Sequence, residues 1–340
     1  MSKSPPKLSI VAPCHNEQNG IEEFHRRTSA AAKEVVGEDY ELIFVNDGSG
    51  DDTWTVMRKL VALDPRLVLI NLARRHGHQL ALTAGLEMCR GERVLTIDSD
   101  LQDPPELLTE MWRLMDSEQV DVVYGLRAER FGETRFKRST AALFYWLLQR
   151  IGDANIPSNV GDFRLMTRRV VDILKAMPEQ HRFIRGMIGW IGFRQIALRY
   201  DRNPRFAGSS HYPLSRMMIL ALDALTGFSI APLRIASYAG FLVGALGLLM
   251  LVYTLGSWAT GRVVDGWTSL TTIVLILGSL QLILFGLLGE YIGRMYIELK
   301  HRPLFTIDQI VTHDSEIPAA AQPNQLKVSN VESSKNNTSS

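Results

Sequence analysis

Residues 93–105 read RVLTIDSDLQDPP, an apolar β-type run that breaks off into clustered carboxylates. Asp98 and Asp100 stand two positions apart, and Asp103 follows. Acids held this close repel one another, and burial raises the cost of their charge. A divalent cation, which prefers oxygen ligands, is their natural neutralising partner. The same pattern also fits a solvated strand end, so the surroundings decide.

Those surroundings alternate regularly. Strand-like runs at 8–12, 41–45, 67–71, 94–97 and 120–124 are separated by helix-like stretches at 21–36, 51–63, 78–89 and 105–115. Short β-rich runs with intervening amphipathic helices predict βαβ units and a mainly parallel sheet covered on both faces. Ligands on such sheets bind outside the carboxyl ends of the strands. Polar segments stand at those ends: Pro13, Cys14, His15, Asn16 and Glu17 after the first, Asn46, Asp47, Gly48 and Ser49 after the second, 73–78 (ARRHGH) after the third, and the acidic turn after the fourth. Singly, Asn46 to Gly50 is ordinary turn chemistry and Asn16-Glu17 could cap a helix. Together they predict one rim. No Gly-x-Gly-x-x-Gly follows the first strand and no Gly-Lys-Ser/Thr loop occurs, so a nucleotide would be held by other means.

The remaining chain points to a membrane. With a formal charge of +1 and 21% charged residues, neither nucleic-acid binding nor bulk disorder is favoured. Yet 235–258 and 268–289 contain no charged residue, and each matches the roughly 20 residues that cross a bilayer. Two transmembrane helices are expected. Arg234 precedes them and Arg294, Lys300 and Arg302 follow, against only Arg262 and Asp265 between, so both outer flanks should face the cytoplasm. The start is too short in apolar residues for a signal sequence, so the first 230 or so residues are expected to stay cytosolic. Amphipathic stretches at 136–151 and 212–230 read as interfacial helices; domain packing is the alternative for the first. Cys14 and Cys89 form no metal-ligand pattern and read as buried thiols in a reducing compartment.

Residues 13–17, 46–49 and 98–105 (DSDLQDPP) resemble the motifs of glycosyltransferase family 2. Residues 231–234 (APLR) and 289–294 (GEYIGR) further resemble its polyprenyl-phosphate glycosyltransferases, among them the bactoprenol glucosyltransferases, the undecaprenyl-phosphate aminoarabinose transferase and dolichol-phosphate mannose synthase. The resemblance spans about 8–305. It implies an α/β GT-A fold (Rossmann-like, mainly parallel sheet) over 1–211, which the apolar runs and their flanks extend with interfacial helices at 212–234, two transmembrane helices within 235–289 and a cytosolic segment at 290–313, while 314–340, rich in Ser, Asn, Ala and Pro, is expected to be a disordered tail. The resemblance also implies a bacterial inner-membrane protein with both termini cytosolic, and by similarity a tetramer.

The same resemblance implies roles for individual residues. Asp47 would bind the nucleobase, with Pro13, Asn16, Glu17 and Ser49 around the nucleoside. Asp98 would lie near ribose and metal. Asp100, the foremost ligand, and Gln102 would help hold Mg²⁺ or Mn²⁺ against the diphosphate, while Asp103 would be a further ligand or a cap before Pro104. Arg127 or Arg130 would meet phosphate, for which the guanidinium fork is suited. Asp162, in 161–165 (GDFRL), would be the catalytic base or would orient sugar or acceptor. A phosphate monoester is largely dianionic at neutral pH, so a strong base is not required. Arg202 and Arg205 would receive the lipid phosphate. His211 stands where relatives such as the aminoarabinose transferase carry lysine, which leaves it as ligand or as ordinary loop residue.

The expected activity is inverting transfer of a sugar, glucose from UDP-glucose by resemblance, to polyprenyl phosphate at the cytosolic face. Aminoarabinose, N-acetylglucosamine and mannose from GDP-mannose are the alternatives. A processive polysaccharide synthase would carry a Gln-x-x-Arg-Trp segment, absent here. A scaffold or channel with an inactive nucleotide-binding fold is the rival from another class.

Overall fold

A computed structural model describes residues 4–127, 160–201, 231–260 and 266–318. Their contacts divide them into an α/β unit, which takes up the chain again from Arg302, and a helical unit ending at His301.

In the α/β unit, β1 (Leu8–Cys14), β2 (Tyr40–Asn46), β3 (Leu67–Leu72) and β4 (Arg93–Thr96) lie in the order β4-β1-β2-β3 with every pairing parallel. Every residue of β1 and β2 is buried. Strands covered on both faces need near-continuous apolar runs, and the polar pair that interrupts these is self-satisfied, Ser9 Oγ donating to Glu41 Oε1 at 2.6 Å. The covering helices are α1 (Ile21–Val36), α2 (Thr53–Leu63), α3 (His78–Met88) and α4 (Leu108–Glu118). Helix α1 buries Ile21, Phe24, Thr28, Ala31 and Ala32, one face at helical spacing. Gly85 of α3 sits so close to Val11 and Val45 that a Cβ there would collide with Val11, and the helix therefore lies tight on the sheet.

Antiparallel strands flank this centre. Strand β5 (Val122–Arg127) ends later than the sequence predicted, which brings Arg127 into the strand. Strand β6 (Val160–Thr167) runs antiparallel between β4 and β5 and has no counterpart among the expected elements. Its Asp162 and Arg164 are both buried, whereas polar residues in a short run read as loop or solvent-facing in sequence. Helices α5 (Arg168–Ala176) and α6 (Ile184–Ile191) lead to β7 (Gln195–Tyr200), which pairs with β5. At the far edge β8 (Ile307–Val311) adds antiparallel to β3, and β9 (Glu316–Pro318) to β8. The tail expected from 314 thus begins as sheet. Residues 319–340 lie outside the described residues.

The helical unit contains α7 (Ala231–Ala259) and α8 (Trp267–Leu299). Both cover the expected spans, but α8 continues ten residues beyond the expected end at 289. Among the described residues one stretch, Ile276–Leu299, is long and apolar enough to cross a membrane; the apolar stretch in α7, Ala236–Met250, is shorter. Two long helices stand where two spans were expected, but among the described residues a single stretch is long and apolar enough to cross, so the second span is not established. Large apolar side chains on both helices, including Phe241, Tyr253, Leu282 and Ile283, are well over half exposed. The interfacial stretches at 136–151 and 212–230 lie outside the described residues.

Candidate active site

Parallel pairing brings the carboxyl ends of four strands to one edge. The register makes that edge level, with Cys14 beside Asn46 and Asn46 beside Asn71. A cleft of about 240 Å³ opens there, lined by Pro13, Cys14, His15, Glu17, Asp47, Arg75, His78, Asp98, Ser99 and Asp100. Four segments distant in sequence therefore form the predicted rim.

The first two loops lock together. The backbone N–H of Asn16 donates to Ser49 Oγ at 3.1 Å, the N–H of Gly50 donates to Asn16 Oδ1 at 2.9 Å, and the N–H of Glu17 donates to Thr53 Oγ1 at 2.8 Å. Asn16 tolerates the left-handed conformation this needs (φ 58°) better than most residues. Asn16 and Ser49 thus act on the loops, while Pro13 and Glu17 reach the cleft.

Asp47 is buried and fixes the third loop. Its Oδ1 accepts the N–H of His76 at 2.6 Å and its Oδ2 the N–H of Gly77 at 2.9 Å. Gly48, at φ +59°, allows this approach: a Cβ there would stand 2.6 Å from the Arg75 nitrogen. Each carboxylate oxygen retains a lone pair for a further donor.

The acidic turn is more divided than its spacing implied. Asp98 Oδ1 is sealed from solvent and receives no hydrogen bond; the nearest cation is His78 Nε2 at 3.4 Å. Burial pushes the Asp98 carboxyl up to about 6 against the attraction of His78, and the charges of Asp162, Asp103 and Asp100 add to the rise. Asp100 Oδ1 accepts the N–H of Gln102 at 3.1 Å across Leu101, a buried residue in the left-handed region (φ 60°). That conformation costs a residue with a Cβ about 1–2 kcal/mol, held here at the turn carrying both candidate ligands. Gln102 does not line the cleft. Asp103 is fully buried and accepts from the Tyr200 hydroxyl and, at 3.4 Å, from Arg127 Nη2. It anchors an arginine.

Asp162 faces three donors. His78 Nε2 lies 3.1 Å from Oδ2, Gln79 Nε2 donates to Oδ2 at 2.9 Å, and Arg185 Nε donates to Oδ1 at 2.9 Å. Burial opposes its charge, but hydrogen bonds from His78 and Arg185 and their positive charge hold it far below the usual carboxylate range. His78 is the complement. Burial lowers it, yet the bond to Asp162 and the charge of Asp98 prevail and raise it to about 9, so it is cationic at neutral pH. Cys14 is a spectator, its thiol pushed up to about 12 by burial.

Sequence reading placed His78 in a rim segment without a role and passed over Gln79, Arg185 and Tyr200. Arg185 lies far from every motif and Tyr200 just ahead of Arg202, and nothing local marks either. Arg130, Arg202, Arg205 and His211 lie outside the described residues.

Among the described residues no three His, Cys, Asp or Glu side chains are arranged to enclose a metal ion. The donor set still fits Mg²⁺ or Mn²⁺. Such ions take one or two carboxylates and fill their shell with phosphate oxygens and water, and Asp98 offers a buried oxygen without a hydrogen bond beside Asp100.

Comparison with known proteins agrees with this geometry. The profile of Glycosyl transferase family 2 matches residues 9–174, and that of the GtrB C-terminal hairpin matches residues 231–295. An uncharacterized glycosyltransferase of Bacillus subtilis (strain 168), YkcC, is 44% identical over 89% of this chain and 94% of its own length. The bactoprenol glucosyl transferase of Shigella phage SfV is 40% identical over 88% of this chain and 98% of its own, and a prophage bactoprenol glucosyl transferase homolog of Escherichia coli (strain K12) is 38% identical over 89% and 99%. The chain, with its acid-rimmed cleft on a parallel sheet and its C-terminal pair of long helices, belongs to glycosyltransferase family 2.

Proposed function

We propose that this glycosyltransferase moves a sugar, glucose from UDP-glucose in the first instance, to polyprenyl phosphate at the cytosolic face of a membrane into which α7 and α8 both insert. The observation that carries the reading is the cleft itself, where Asp47, Asp98 and Asp100 meet Arg75 and His78 at the ends of parallel strands. Two exposed apolar helices in the same chain support a lipid-borne acceptor, as do relatives named for bactoprenol.

Asp47 and the 13–17 loop would orient the nucleoside by hydrogen bonds. Asp98 and Asp100 would hold Mg²⁺ or Mn²⁺, whose contribution is to neutralise charge on the departing diphosphate. An oxygen of the acceptor phosphate forms a bond to the anomeric carbon as the bond to the nucleoside diphosphate breaks on the opposite side, which inverts the configuration. The acceptor arrives largely dianionic, so no proton has to be removed. Asp162, saturated with donors and held ionised, serves best by orienting His78 and Arg185 towards the reacting charges. Arg127, steadied by Asp103 and Tyr200, would be one arginine to meet a phosphate, with Arg75 on the cleft wall as another.

The test uses purified protein in detergent with undecaprenyl phosphate, Mg²⁺ and a panel of UDP- and GDP-sugars. Mass spectrometry should find one glycolipid product. Folded protein that makes none from any donor would sink the proposal.

A further inference from the structure

The chain comes back from the helical hairpin to finish the catalytic sheet. Phe305 is buried, the N–H of Ala73 donates to the Thr306 carbonyl at 2.9 Å, and β8 then pairs with β3. Two lines of hydrogen bonds run from this returning segment into the cleft. In the first, Thr306 closes on Nε2 of His76 with its backbone N–H at 3.2 Å and its hydroxyl at 3.1 Å, and the N–H of His76 reaches Asp47. In the second, Asn71 Nδ2 donates to Asp308 Oδ2 at 3.1 Å and Asn46 Nδ2 to Asn71 Oδ1 at 2.7 Å. Ser49 Oγ donates to Asn46 Oδ1 at 2.6 Å and in turn accepts the N–H of Asn16. The two lines end on the residues that fix the first three rim loops.

We infer that Thr306 and Asp308 are positioning residues for the nucleotide, setting the geometry of Asp47 and of the 13–17 loop from outside the cleft. The inference rests on the reading of the cleft as a nucleotide-sugar site. Neither residue lines the cleft, and neither lies within the matched family profiles. Burial and the charge of Arg74 lower the His76 imidazole below its ordinary range, and the Thr306 N–H directed at Nε2 assigns the tautomer in which that nitrogen accepts.

The experiment measures Kd for UDP and for GDP with Mg²⁺ on the full chain in detergent, together with donor KM and kcat. Loss of hydrogen bonds of this kind changes an equilibrium by about fivefold to tenfold. Thr306→Val with Asp308→Ala should weaken the tighter nucleotide by that factor, leave kcat at saturating donor within about twofold, and melt as a folded protein. Thr306→Ser should retain wild-type affinity. If the double variant does not fold, Asp308→Ala alone, an exposed change, must still weaken the nucleotide. Wild-type affinity in the folded variants overturns the inference and leaves the proposed function standing. Wild-type protein that binds neither nucleotide overturns both.

Discussion

His78 Nε2 lies 3.1 Å from Asp162 Oδ2 and 3.4 Å from Asp98 Oδ1, so one imidazolium joins the carboxylate just past β4 to one on its antiparallel neighbour β6. Groups in one network give non-additive effects. His78→Ala and Asp162→Asn should each lower kcat by about tenfold or more, and the double variant should fall little further, with a coupling of about 0.5–3 kcal/mol. Rates of glycolipid formation for the four proteins give this number, and strictly additive losses would refute the linkage.

Metal affinity should follow the ionisation of Asp98. Its carboxyl is raised to about 6, so as pH falls through that value the ligand takes up a proton that the metal must displace. Mn²⁺ binding, read by electron paramagnetic resonance with UDP present, should be level above about pH 7 and weaken by about tenfold per unit below pH 6. Asp98→Asn should bind weakly at every pH. A wild-type profile flat to pH 5 would exclude Asp98 as a ligand.

Asp100→Ala tests the other carboxylate. Loss of an electrostatic group that acts on the leaving diphosphate typically costs on the order of 10²–10³ in kcat. Turnover should drop by that much with an unchanged melting temperature. Unchanged turnover would favour a non-catalytic role for the whole acidic turn.

Tyr200→Phe removes a hydroxyl that donates to the fully buried Asp103. Hydrogen bonds to charged groups contribute about 1.5–3 kcal/mol. Thermal unfolding should show a loss of that size. Arg127, which shares Asp103, should also lose its alignment, raising KM for polyprenyl phosphate more than KM for the donor.

The central sheet was legible because each of its strands is a short apolar run bounded by turn residues, and the rim was legible because parallel strands must share an edge. Asp98 and Asp100 do line one cleft, as their spacing implied. Asp103, equally close in sequence, faces away to Tyr200, since a turn through a left-handed Leu101 separates neighbours that a straight strand end would keep together. Strand β6 escaped notice because its buried Asp162 is satisfied by tertiary partners, His78, Gln79 and Arg185. Arg185 reaches Asp162 from a helix with an otherwise apolar sequence, and no local pattern announces such a contact. Strand β8 lies more than 230 residues from β3, beyond any periodicity argument.

That last pairing also has a meaning for biogenesis. A ribosome releases β1 to β7 well before β8 exists, and the two long apolar helices emerge in between. Until then the edge of β3 is open, with backbone donors and acceptors exposed to wrong partners. The order of synthesis therefore ties completion of the catalytic sheet to passage of the hairpin, and newly made chains halted before Thr306 would carry every acidic rim residue yet leave that edge unsealed.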